Sequence, residues 1–162
     1  MSRFLVASFL LAATGLGSAC EPEGYACPAI AMAPVVSLTI PASYAPSVKA
    51  VHLKACQEET CKEGNLELMP GTVSVDQGCE PGPDGSCSAT ASPDGTLRGM
   101  LMMDALTESP INATASATAS DGNPLPVHSL TFTPKAEYPF GAHCGKFLTA
   151  GLILDEAGLR QE

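Results

Sequence analysis

The chain of 162 residues contains no tryptophan, only five phenylalanines and three tyrosines, and only eight lysines and arginines against seventeen acidic residues. Each shortage excludes something. A formal net charge of −9 leaves no basic surface for phosphates, so neither nucleic acid nor anionic lipid is expected as the main partner. Charged residues make up 15% of the chain, too few for a helical bundle or coiled coil, which would carry Glu, Lys and Arg at helical period. Catalytic signatures are also missing: there is no G-x-S-x-G, H-E-x-x-H, Ser-x-x-Lys or glycine-rich phosphate loop. What the chain has instead is fifteen glycines, fourteen prolines and seven cysteines.

Long hydrophobic runs are absent as well, with one short exception. After Met1-Ser2-Arg3 the residues from Phe4 to Ala19 are uncharged. This stretch falls short of the roughly 20 residues a membrane-spanning helix needs, and Gly15 and Gly17 interrupt it. One positive charge, an apolar stretch and the small residues Gly17-Ser18-Ala19 form a secretory signal. Gly17-x-Ala19 suits ordinary signal peptidase cleavage. Leu16-Gly17-Ser18-Ala19-Cys20 resembles a bacterial lipobox, departing from it at Gly17, where Leu is usual. Lipidation of Cys20 is the favoured reading, because six cysteines follow and pair among themselves. Residues 1–19 are then the signal peptide, 20–34 a lipidated N-terminus and tether, and 35–162 a single domain.

An even set of cysteines in an exported chain reads as disulfides. Cys56 and Cys61 flank a short polar turn at hairpin spacing, and Cys79 and Cys87 bracket a run of turn-forming residues. Cys27 and Cys144 are left to pair with each other. A structural zinc site would show closely spaced ligand pairs such as C-x2-C, and neither local pair has that spacing.

From Val35 onward the apolar residues alternate in short runs. Val36, Leu38 and Ile40 share a face, as do Val51, Leu53 and Ala55, then Leu66 and Leu68. Val73 and Val75 follow; then Leu97, Gly99, Leu101 and Met103; Ile111 with Ala113, Ala115, Ala117 and Ala119; Leu130 and Phe132; and Leu148, Ala150, Leu152 and Leu154. Alanine favours helix, but strict period two with Thr and Ser opposite reads as a strand packed closely on a second layer. Ser92-Pro93-Asp94-Gly95 reads as a turn. The expectation is an all-β protein: an antiparallel immunoglobulin-like sandwich of about seven to nine short strands.

The alanine-rich, lysine-poor composition, the Cys20 signal, the Cys56/Cys61 hairpin and the stretch from Val75 through Cys79 and Cys87 to Gly95 resemble small exported lipoproteins of actinobacteria. The resemblance implies an extracytoplasmic β domain and carries no activity with it.

Candidates for chemistry are few. His52, His128 and His143 are the only imidazoles, and none is spaced to ligate a metal with a neighbour. Met100 and Met102 share a strand face, and thioethers suit Cu(I); the competing reading is core packing. His143-Cys144 suggests a nucleophile, but adjacent residues of an extended chain point apart and an oxidised Cys144 has no thiolate to offer. Glu58-Glu59 and Asp155-Glu156 read as solvated charge. Asn112-Ala113-Thr114 matches a glycosylation sequon. The expected function is therefore a non-enzymatic, lipid-anchored binding or structural protein of the bacterial envelope, needing no cofactor. Its expected partners are the membrane, through Cys20, and an envelope component or protein. The alternatives are a copper-binding protein using Met100 and Met102 with one histidine, and a secreted protease inhibitor presenting residues 57–60 or 80–86.

Overall fold

Alternating apolar residues produce strands that bury one face each, and ten strands form in the computed structural model, which describes residues 26–80 and 85–162. The signal segment, Cys20 and the start of the tether lie outside the described residues, as do residues 81–84.

The strands are β1 (Val35–Ile40), β2 (Val48–Gln57), β3 (Thr60–Asn65), β4 (Met69–Cys79), β5 (Cys87–Met102), β6 (Ile111–Ala119), β7 (His128–Phe132), β8 (Lys135–Glu137), β9 (Phe147–Asp155) and β10 (Gly158–Gln161). They assemble into two sheets. The first runs β10-β9-β1-β5-β4, with β8 also pairing β9; the second runs β3-β2-β6-β7. The all-β sandwich is as the alternation predicts, with differences in detail. β8 and β10 are additional strands, too short to show a period. Leu66 to Leu68 form no strand: Leu66 is buried in the connection from β3 to β4, its backbone N–H donating to Val51 O at 2.8 Å. One pairing is parallel, β1 with β9, in register Val36↔Ala150 and Leu38↔Leu152.

The core lies between the sheets. Val36, Leu38, Ile40, Leu101, Leu152 and Leu154 face it from the first sheet, and Val51, Leu53, Ile111, Ala113, Ala115, Ala117 and Phe132 from the second. The alanines of β6 let the larger residues of the facing strands fill the space at close-packed density. The connection from β5 to β6 is pinned by Gln57, the only buried polar residue among those described. Its Nε2 donates to Thr107 O (3.0 Å) and Ser109 O (2.7 Å), and its Oε1 accepts from Thr107 N–H (3.1 Å). These three bonds offset the desolvation of the buried amide.

The Ser92–Gly95 turn expected from sequence does not reverse the chain. It lies inside β5 as an outsized bulge: β4 pairs Pro70↔Leu97 and then Thr72↔Pro93, so Gly71 stands opposite Asp94, Gly95 and Thr96. Asp94 Oδ1 accepts from both the backbone N–H (2.9 Å) and hydroxyl (2.7 Å) of Thr96, and Gly95 adopts φ 80°. The turn chemistry is present, but the strands continue on both sides of it.

Candidate functional site

Beyond the bulge the two strands leave the sandwich. β1 covers β5 only from Leu97 to Met102, so residues 72–79 and 87–93 pair only with each other among the described residues. They form a two-stranded ribbon about 25 Å long at strand rise, exposed on both faces apart from half-buried Ser92. The Cys79–Cys87 disulfide closes its far end. Val73 and Val75 are bare to solvent, and Asp76 is the ribbon's single charged residue. Natural edge strands are protected by lysine, by shortness or by bulges; β4 has no lysine, and beyond the base bulge its one interruption is the register shift between Asp76 and Gly78, which leaves Thr72 to Asp76 in regular pairing.

The outward face of the first sheet carries exposed thioethers in a row leading away from the ribbon. Met100 (54% exposed) stands opposite Ser37 and Met102 (58%) opposite Val35. Their exposure rules out core packing for both, whereas Met103 is buried. Met69, opposite Arg98 on β4, joins Met100 in lining a groove of about 420 Å³ with Ser37, Thr72 and Glu162. Sequence reasoning missed Met69, because nothing local pairs residues 69 and 98. Arg98 borders the groove too, and Asp94 lies 3.7 Å from its guanidinium. Hydrogen bonds from Thr96, more than the charge of Arg98, hold the Asp94 carboxyl below its ordinary pKa.

The histidines do not converge. His52 lies on the outward face of β2 opposite Ser116, and His128 on the other face of the same sheet, opposite Ala115 and against Gly158. His143 sits beside the Cys27–Cys144 bridge. That trio has ligand-like spacing, but both sulfurs are spent in the disulfide and offer no thiolate. The same bond removes Cys144 as a nucleophile. Cys56 and Cys61 are bridged where β2 meets β3, across a tight turn with Glu58 at φ 55°. All three disulfides thus join the cysteines that spacing pairs.

The ends of the sandwich differ. Cys27–Cys144 lies at the end where β1 and β9 begin. The ribbon departs at the opposite end, beyond the Ile40↔Leu97 pair. Two exposed ion pairs border these regions. Lys146 Nζ lies 2.5 Å from Glu108, whose hydrogen bond and charge raise the Lys146 pKa. Arg160 Nε lies 3.2 Å from Asp155 and, chiefly by that hydrogen bond, lowers the Asp155 pKa. Among the described residues, no helix is long and apolar enough to cross a membrane. No protein-family model, curated protein or solved structure matches the chain.

Proposed function

We propose that the protein is a lipid-anchored, extracytoplasmic binding protein of the cell envelope, with no catalysis of its own, that offers the β4–β5 ribbon to a protein partner. The observation that carries this reading is the ribbon itself: nearly uncharged, disulfide-closed, exposed on both faces and bordered by a free strand edge along β4. Such an edge recognises an extended segment by main-chain pairing, with alternate side chains setting specificity. Three disulfides support an oxidising compartment, and the Cys20 motif supports an anchor. The test is site-specific photocrosslinking in native cells from Val73 and Val75, with Lys49 on the opposite sheet as control. One discrete adduct from the ribbon and none from Lys49 is the expected result. Equal labelling from all three positions, or none, would reject the ribbon.

A second reading is favoured by one observation, the exposure of Met100 and Met102 beside Met69. Met69 and Met100 line one groove, with Met102 further along the same face, and thioethers are soft donors suited to Cu(I). Among the described residues no histidine lines this groove, so the ligand set is sulfur only. Replacing Met69, Met100 and Met102 together by Leu should abolish competition with a chromogenic Cu(I) chelator while leaving the fold intact. Undiminished competition dismisses the copper reading. The inhibitor reading draws less support: residues 57–60 fold as a tight turn, where a protease cleft takes extended backbone, and most of 80–86 lies outside the described residues.

A further inference from the structure

Ten large apolar side chains are exposed among the described residues, and four of them lie on two segments joined by one bridge. Ile30 (53% exposed) and Met32 (52%) precede β1; Tyr138 (51%) and Phe140 (37%) lie between β8 and β9. Cys27–Cys144 brings the segments together with its Cα atoms 5.3 Å apart. Met32, Ala33 and Pro34 share a groove of about 320 Å³ with Lys146, Phe147 and Leu148. The Phe140 ring packs edge-on against Phe147 at 5.9 Å between centroids. Exposed apolar and aromatic side chains thus gather at one end of the molecule.

Charge is distributed to suit. In a chain with seventeen acidic residues, 26–34 and 138–147 contain none. The neighbouring carboxylates are engaged: Glu108 with Lys146, and Glu137 with the Thr149 hydroxyl. Glu58 and Asp104 lie on the β2–β3 side of this end, hydrogen-bonded to Ser109 and paired with Lys62 respectively. Position along the chain supplies the occupant. Cys20 precedes Cys27 by seven residues, and at full extension such a length spans only about 25 Å. An acyl group on Cys20 would therefore hold this end, and not the ribbon, within reach of lipid.

We propose that the Cys27–Cys144 end rests on the membrane surface, with Ile30, Met32, Tyr138 and Phe140 entering the interfacial layer of the bilayer. The inference rests on the lipid-anchor reading and adds an orientation to it. A tyrosine beside apolar residues suits that layer, where one part of the ring is apolar and the hydroxyl remains hydrated. The contact is apolar and not electrostatic, in keeping with the acidic chain, so neutral lipid suffices and salt does not reverse it. It gives the anchor a second, weaker hold and sets which end of the domain faces the lipid.

The test uses the full protein extracted from its native membrane and reconstituted into phosphatidylcholine vesicles containing brominated chains. With no native tryptophan, Phe140→Trp reports on this end and Val75→Trp on the ribbon. Ile30→Trp serves as a second reporter should Phe140→Trp fail to fold. Several-fold stronger quenching of the Phe140→Trp or Ile30→Trp emission than of Val75→Trp, unchanged at high salt, is expected. Equal quenching at both ends, or none, overturns the orientation. Mass analysis of the Cys20 peptide from the same preparation separates the two ideas. An acylated peptide with unquenched end reporters rejects the surface and keeps the anchor. An unmodified peptide rejects the anchor, and quenching by added vesicles then decides the surface alone.

Discussion

Several residues hold their places because the alternative has no room. Gly99 faces the core on β5, and a Cβ there would stand 2.9 Å from Leu66 Cβ and 3.2 Å from Leu68 Cδ2. Gly99→Ala should lower unfolding stability by about 1–3 kcal/mol, as overpacking does, read from the urea midpoint. Gln57 is constrained by polarity. Gln57→Leu removes the side-chain partners of the Thr107 N–H and of two carbonyls of the β5–β6 connection; with Thr107 exposed, water recovers part of the loss, and a cost of about 1 kcal/mol is expected. Hydrogen exchange at Thr107 should accelerate with it. Asp94 adds a dependence on acidity. Its carboxyl has a lower pKa in the folded chain than the ordinary aspartate value, so folding is favoured while it is ionised. That contribution is complete above about pH 4 and is lost as the pH falls through the depressed value. Protection of the ribbon amides, once corrected for the intrinsic slowing of exchange in acid, should therefore fall on acidification, and Asp94→Asn should remove that portion of the pH response.

At the scale of elements, the ribbon depends on local devices: the bulge opposite Gly71 at its base and the Cys79–Cys87 bridge at its end. A free two-stranded hairpin is marginal in water. Replacing Cys79 and Cys87 together by Ser should expose residues 72–79 to limited proteolysis while hardly moving the midpoint of the sandwich, whose core this pair does not touch. Most strands were legible in the sequence, since β1, β2, β6 and β9 each bury one face and so alternate strictly. The ribbon was legible only as strand: Val73 and Val75 alternate as core-facing residues would, yet both are exposed because no second layer covers them. Ser92-Pro93-Asp94-Gly95 misled for a related reason: its residues do form turn hydrogen bonds, and only the pairing partner decides whether the chain reverses or bulges. The disulfides were recoverable from spacing and elimination. The methionine cluster was half legible, since Met100 and Met102 are neighbours on one strand while Met69 reaches them only through the β4–β5 register.

For the whole molecule, one covalent link joins the approach to β1 with the approach to β9 across 117 residues of chain. Replacing Cys27 and Cys144 together by Ser should cost about 4.7 kcal/mol on the chain-entropy account, the largest loss for any of the three bridges, measured by guanidinium unfolding. The parallel pairing of β1 with β9 reaches further in time than in energy. β1 lies between β5 and β9, so the strand formed first from the amino-terminal side waits for one of the last before both its edges are satisfied. Contacts that distant in sequence slow the search for the native state, placing all-β chains in the millisecond-to-second range. A nascent chain released before Phe147 would hold a core strand with one side open, and no shorter fragment would reach the finished sheet.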